Sequence, residues 1–223
     1  MTLSHLHDAI ENWGLNTDRP FSSLETNQIE NGTMKCLTYS KPDLELTTLA
    51  LAELQYRTRR LARIAEANIN QRLHQINHKP IPWLLRVRKN IKTLTFEDEP
   101  NANYTISLYV ILRDGYTDQN GRYGTYVGQT ANTPEHRFEE HMAGINAGNG
   151  LQKNGLQLMR SLMWPWQKVP GSKRLYYESA LHKALEIGNV SGPKVSGDVV
   201  PTDEWPAGFQ LGLLDQLSVK PLH

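Results

Sequence analysis

The run of residues 105–112 constrains the fold most. Ile106, Leu108, Val110 and Leu112 alternate with Thr105, Ser107, Tyr109 and Ile111. Successive side chains of a strand point to opposite faces, so this period of two predicts a β-strand. A second strand-like run, Tyr-Gly-Thr-Tyr-Val-Gly-Gln at 123–129, follows the turn-rich Asp-Gly-Tyr-Thr-Asp-Gln-Asn-Gly at 114–121. Together they predict a hairpin with a long loop. A lone hairpin is marginal in water, so helices must cover it. Glycine weakens a strand interior because it has no side chain to pack, so Gly128 marks a close approach to the backbone. The visitor to that backbone is the open question.

Helix signals flank the hairpin. Thr133 and Pro134 supply a cap and a first helical residue, and Phe138, Met142 and Ile145 are expected to form the buried face of a helix ending at Gly144 and Gly148. A further helix is expected over 151–160, then a strand over 161–169 broken by Pro165 at a sheet edge. Ser172 is read as the cap of a last helix running to Glu186, and the glycine- and proline-rich chain from Gly188 onward is expected to be mostly loop. Upstream, residues 1–40 are polar and mixed, and Asn31-Gly32 reads as a turn. Ser40 and Pro42 are placed to cap and open a helical stretch. Leu46, Leu49, Leu54, Leu61, Ile64 and Leu73 recur at spacings compatible with one apolar stripe, on a helix or pair of helices that should stop near Asn77 because Pro80 and Pro82 follow. Residues 83–94 read as a basic helix and 97–103 as a linker. The fold class is α+β: a small antiparallel sheet flanked by helices, after a largely helical N-terminal region. The expected division is 1–100, 104–195 and a loop-rich tail, 196–223.

Composition excludes several classes. With 39% hydrophobic and 21% charged residues the chain of 223 is that of a globular protein. No run of about 18 apolar residues offers a membrane span, and residues 1–8 do not read as a secretory signal. Cys36 is the sole cysteine, which excludes an intrachain disulfide. A cytoplasmic location is expected. The net charge of +1 is uninformative, but ten Lys or Arg and one acid, Glu66, fall within 57–92. Such a stripe suits a phosphate backbone, or simply keeps a long helix solvated. Arg57, Arg59, Arg60, Arg63, Arg86, Arg88 and Lys89 are its candidate DNA-binding residues.

Chemistry-bearing residues gather on and after the hairpin. Tyr109 faces away from Ile106, Leu108 and Val110, and Tyr126 shares a face with Gly128. Arg137 and His141 are i, i+4 neighbours on one helix face. Glu178 falls in line with Leu181 and Leu185 on an apolar stripe. Buried alone it would cost several kcal/mol or take up a proton, so a cation partner is expected: Arg, Lys or a metal. Taken singly, each has a plainer role: hairpin aromatics, an ion pair of Arg137 with Glu178 or Glu140, a solvent-facing His141. His182, one turn after Glu178, could join a metal site but reads first as a surface or capping histidine.

In order, Ser107-Leu108-Tyr109, Tyr126-Val127-Gly128, Arg137 with His141 four residues on, Glu178 and Asn189 resemble the GIY-YIG nuclease family over 104–195. The first motif keeps only its tyrosine, and the second carries valine for isoleucine. The resemblance implies a metal-dependent DNA endonuclease with Tyr109, Tyr126, Arg137, His141, Glu178 and Asn189 as catalytic residues. Glu178 would hold Mg²⁺, a hard ion that keeps several waters, with Mn²⁺ able to substitute. Arg137 would neutralise phosphate oxygens. The base that activates water stays open among Tyr109, Tyr126 and His141, a free phenol near pKa 10 being a poor base. Restriction, mobile-element and toxin roles all fit, the last with an immunity-protein partner and a specialised secretion route. The alternatives are a binding module that keeps the fold without activity, and an unrelated small α/β enzyme. Oligomeric state is not legible.

Overall fold

Both faces of the first predicted strand are buried: Leu108, Tyr109, Val110, Ile111 and Leu112 are each at most 1% exposed. A strand covered on both faces must also pair along its edges, and this one does. The computed structural model describes residues 3–11, 19–91, 103–116, 122–148, 150–163, 168–186 and 195–204. Strand β1 (Tyr104–Tyr116) pairs antiparallel with β2 (Arg122–Thr130), and the register sets Tyr109 opposite Gly128. On its other edge β1 pairs antiparallel with β3 (Gly155–Leu158) and, near its start, with β4 (Val169–Pro170). The sheet is mixed, because β5 (Val195–Ser196) runs parallel to β2. The fold is α+β with a small mixed sheet, not the wholly antiparallel one expected.

The chain forms two units, Met1–Leu85 and Arg86–His223, so the division falls well before the expected limit at residue 100. The first unit is built from α1 (Leu3–Glu11), α2 (Thr26–Cys36), α3 (Leu44–Tyr56) and α4 (Arg60–Gln75). Helix α3 is capped by Asp43, whose side chain accepts from the Leu46 amide at 2.9 Å, rather than by Ser40. Asn31-Gly32 makes no turn. It lies within α2, where a Cβ on Gly32 would sit 2.5 Å from Leu6 Cδ1, so the glycine lets α1 pack close. On α4 the buried stripe is Ala62, Ala65, Ile69 and Leu73, while Leu61 and Ile64 stand 70% and 46% exposed. The expected stripe mixes residues from two helices separated by a break, and its phase fails across that break.

The division falls within α5 (Leu84–Ile91). After β2 come α6 (Pro134–Met142), capped by Thr133 as expected, the short α7 (Leu151–Asn154), α8 (Arg160–Met163) and α9 (Arg174–Glu186). Ile145 is 54% exposed, not buried; the fully buried residue on that side of α6 is His141. The helix expected over 151–160 is broken at Gly155, which turns the chain into β3. Of the strand expected over 161–169, residues 161–163 are helical and Val169 is extended, while the expected break at Pro165 lies outside the described residues. Ser172 sits in a single 3₁₀ turn, Gly171–Lys173, ahead of α9. Within the loop-rich tail expected over 196–223, β5 reaches Ser196 and a 3₁₀ turn covers Thr202–Glu204, and residues 205–223 lie outside the described residues. Most of the hairpin loop and of the 97–103 linker lie outside the described residues. Among the described residues no helix is long and apolar enough to cross a membrane.

Glu53 is the electrostatic anchor of the first unit. Its carboxylate, 1% exposed, accepts from Arg57 Nε at 2.7 Å and from Arg19 Nη2 at 2.7 Å. Burial opposes its ionisation, but these hydrogen bonds outweigh burial and hold the carboxyl below its ordinary 4.5. The folded state therefore binds fewer protons than the unfolded one. The resulting stability is complete above about pH 4.5 and is lost as pH falls through the lower folded value. Glu53→Ala strands Arg57 and should cost about 3 kcal/mol at pH 7, with a smaller deficit in acid, read from melts of the full chain. An equal deficit at pH 7 and pH 3 would show that packing, not charge, is what Glu53 contributes.

Candidate active site

The register explains Gly128. A Cβ there would lie 2.4 Å from Tyr109 Oη and 2.5 Å from its Cζ, so the phenol of the neighbouring strand crosses the space a side chain would fill. The visitor is neither a helix nor DNA but the tyrosine one strand away. Gly148 does the same for Tyr126, with a virtual Cβ 2.7 Å from Tyr126 Cε2. The two rings, 6.2 Å apart between centroids, share their cluster with the His141 ring at 5.8 Å and 5.6 Å.

His141 is wholly buried and reaches Tyr109 Oη with Nε2 at 2.7 Å. Its other nitrogen, Nδ1, accepts from the Gly148 amide at 3.3 Å. Burial and the Arg137 charge lower its pKa, so the ring is neutral, with its one proton on Nε2. His141 therefore donates to Tyr109 and cannot take a proton through that nitrogen. Tyr109 is held well above its ordinary value by burial first and Tyr126 next, with Arg137 only partly offsetting. It is a phenol at neutral pH. Tyr126 is less buried; burial and the Glu178 charge raise it, while hydrogen bonding with Tyr109 and the Arg137 charge lower it.

Arg137 ties α6 to the loop after it. Nη1 donates to Glu140 Oε2 at 2.7 Å and Nη2 to the Asn146 carbonyl at 2.9 Å. Burial works against its charge, but hydrogen bonds with Glu140 and Tyr109 keep its pKa above the ordinary value. The Glu140 ion pair foreseen as the plainer role is present, and Tyr109 is a further partner.

Glu178 is 2% exposed on α9. A cation is expected beside it from the sequence, but its partner is an amide: Gln129 Nε2 donates to Oε2 at 2.8 Å, and the Asp198 N–H donates as well. Burial first, and the Asp198 charge next, push its pKa up to about 7. A buried carboxyl with neutral donors and a second acid nearby is a donor set that a hard divalent cation fits, because the ion would remove the penalty on its charge. No group of three or more His, Cys, Asp or Glu able to hold a metal occurs among the described residues, so such an ion would keep several waters. His182, read as a surface residue, is buried at 7% exposure, with Glu186 3.7 Å away. Asn189 lies outside the described residues.

The basic stripe divides. Arg57 bonds Glu53 and the Phe21 carbonyl, so its guanidinium is held inside the fold. Arg88 is 3% exposed and donates to the Ser161 carbonyl at 2.6 Å. Neither presents itself to a phosphate, and both are corrected from DNA-binding to structural. Arg59, Arg60 and Arg63 are exposed in the first unit, and Arg86 and Lys89 in the second.

The chain matches no protein-family model, no curated protein and no solved structure. The site thus rests on its own geometry. Sequence reasoning missed Gly148, Gln129 and Asp198. Gln129 was findable, since it adjoins Gly128 on a strand already assigned; Gly148 and Asp198 lie in stretches read only as helix end and loop.

The raised pKa of Glu178 has a sign. Between 4.5 and about 7 the folded chain binds the extra proton, so stability falls as pH rises through that window. Glu178→Gln should match wild type near pH 4 and melt several degrees higher at pH 8 in chelator, a gain of roughly 3 kcal/mol. A variant less stable than wild type at pH 8 would contradict the assignment.

Proposed function

We propose that residues 104–195 form a GIY-YIG-like nuclease domain and that the chain is a metal-dependent DNA endonuclease. One observation carries this reading: Tyr109, Tyr126, Arg137, His141 and Glu178, from four different elements, act on one another in the order and on the element types that the resemblance implies. Phosphodiester hydrolysis needs an oriented water, charge neutralisation at phosphorus and help for the leaving 3′ oxygen.

The chain's own groups meet these needs in part. Tyr126 is the more accessible phenol, and only as its phenolate would it take the water's proton; burial and the Glu178 charge hold its pKa up, so that form needs the Glu178 charge to be cancelled, with Tyr109 and Arg137 assisting. Tyr109 orients Tyr126 and is itself oriented by His141. Glu178 would hold Mg²⁺ or Mn²⁺, which when bound would supply positive charge for the reacting phosphate and cancel the Glu178 charge that raises Tyr126. Arg137 exchanges an existing acceptor for phosphate oxygens. Arg59, Arg60 and Arg63, with Arg86 and Lys89, provide exposed positive charge for the backbone.

The bonds of Arg137 to Glu140 and Asn146 favour a second reading, a binding module in which Arg137 is only structural. Single-turnover cleavage of a defined duplex by Arg137→Lys separates the two. A lysine keeps the charge but loses the fork, so the nuclease reading expects a loss of about 100-fold or more in a folded variant. A loss of only a few fold would leave Arg137 as a loop tether. Glu178→Ala should abolish cleavage while binding persists. Replacing Arg59, Arg60 and Arg63 with Gln should lower the slope of log K against log salt by about 0.9 for each phosphate no longer neutralised. An unchanged slope would make α4 a solvated face.

A further inference from the structure

Both terminal nitrogens of the Arg137 fork are occupied in the free chain. Nη1 donates to Glu140 Oε2 at 2.7 Å and Nη2 to the Asn146 carbonyl at 2.9 Å. A phosphodiester brought to that fork meets an anion already on it, and two like charges beside one cation repel each other. One of the two acceptors has to give way.

They differ in how freely they can leave. The Asn146 carbonyl carries no net charge and belongs to a loop fastened on both sides. Before it, the Gly144 amide donates to the His141 carbonyl at 3.1 Å and the Ile145 amide to the Glu140 carbonyl at 2.9 Å, with Gly144 left-handed at φ +80°. This pair of bonds is the usual fixed ending of a helix. After it, the Gly148 amide donates to His141 Nδ1 at 3.3 Å. Glu140, by contrast, is an anion on a flexible side chain, 24% exposed. A second partner stands ready for it. His136, one turn earlier on α6 and exposed, has Nε2 3.5 Å from Glu140 Oε1, the carboxylate oxygen that Arg137 does not use. The other acids of α6 are not placed for this role: Glu135 is held by Arg160 at 3.0 Å, and Glu139 is exposed.

We infer that Glu140 is a positioning residue that holds the Arg137 fork in the free chain, and that a DNA phosphate displaces it onto His136. The inference rests on the reading of Arg137 as a phosphate-binding group and adds the two residues that govern its occupancy. Both anions stay hydrogen-bonded through the exchange, the phosphate to the guanidinium and Glu140 to the imidazole N–H. No covalent bond is made or broken.

The test is the affinity of the full chain for a fluorescently labelled duplex in chelator, where nothing is cut. Glu140→Gln keeps an oxygen for Arg137 but removes the charge, so it should bind the duplex about threefold to fivefold more tightly, the worth of one partly exposed ion pair. Glu139→Gln removes the same charge from the same helix and should leave affinity unchanged. In an Arg137→Gln background Glu140→Gln should have no effect, because it acts only through the fork. His136→Ala, which removes the receiving partner, should weaken binding about threefold in the wild-type chain and not at all beside Glu140→Gln. Glu140→Gln binding no more tightly than wild type would overturn the inference, as would Glu139→Gln tightening binding equally. An equal loss from His136→Ala in both backgrounds would put His136 itself on the phosphate and overturn it too. In each of these cases, cleavage by wild type that Arg137→Lys loses would leave the nuclease reading standing. A wild-type chain that neither binds nor cuts the duplex would overturn both.

Discussion

The phenol of Tyr109 lies across Gly128 because the antiparallel register puts these residues directly opposite and a glycine leaves the space empty. Much else in the second unit follows from that. The ring fixes where Tyr109 Oη emerges, and His141 meets it there at 2.7 Å. His141 is in turn held by the Gly148 amide, and Gly148 is the residue against which Tyr126 lies. Each member of the cluster is thus positioned by a backbone feature of the next. A one-residue slip of β1 on β2 would turn Tyr109 to the other face and dissolve the set.

The two units handle buried charge in opposite ways. In the first, Glu53 is satisfied by two guanidinium groups that hold its carboxyl below the ordinary value. In the second, Glu178 has neutral donors and an acid neighbour, and its pKa climbs to about 7. The first arrangement stabilises a fold; the second leaves charge uncompensated at a place where two tyrosines, a histidine and an arginine converge. Perturbed carboxylates of the second kind gather at functional sites.

Much of this is legible in the sequence, and the failures have physical causes. The hairpin is readable because a period of two opens β1 and a turn-rich run separates it from β2, and α6 because Thr133-Pro134 is a strong start signal. Tyr109, Tyr126, Arg137, His141 and Glu178 are nameable because each sits at a regular position of such an element. Element type fails where length is short: β3, β4 and β5 have four, two and two residues, too few for a period to show. Gly32 misleads because a glycine that admits a neighbouring helix looks, in one dimension, like one that makes a turn. Arg57 and Arg88 mislead because burial of a guanidinium depends on a distant acceptor, Phe21 or Ser161, that local pattern cannot supply.

Relaxation of a supercoiled plasmid by the full wild-type chain, followed by mapping of the cut ends, tests the nuclease reading most directly. The expected result is nicking in Mg²⁺ or Mn²⁺, none in chelator, and ends bearing a 5′ phosphate and a 3′ hydroxyl, since the 3′ oxygen is the leaving group. A folded chain that leaves the plasmid intact in either metal, or cuts it equally well in chelator, would contradict it.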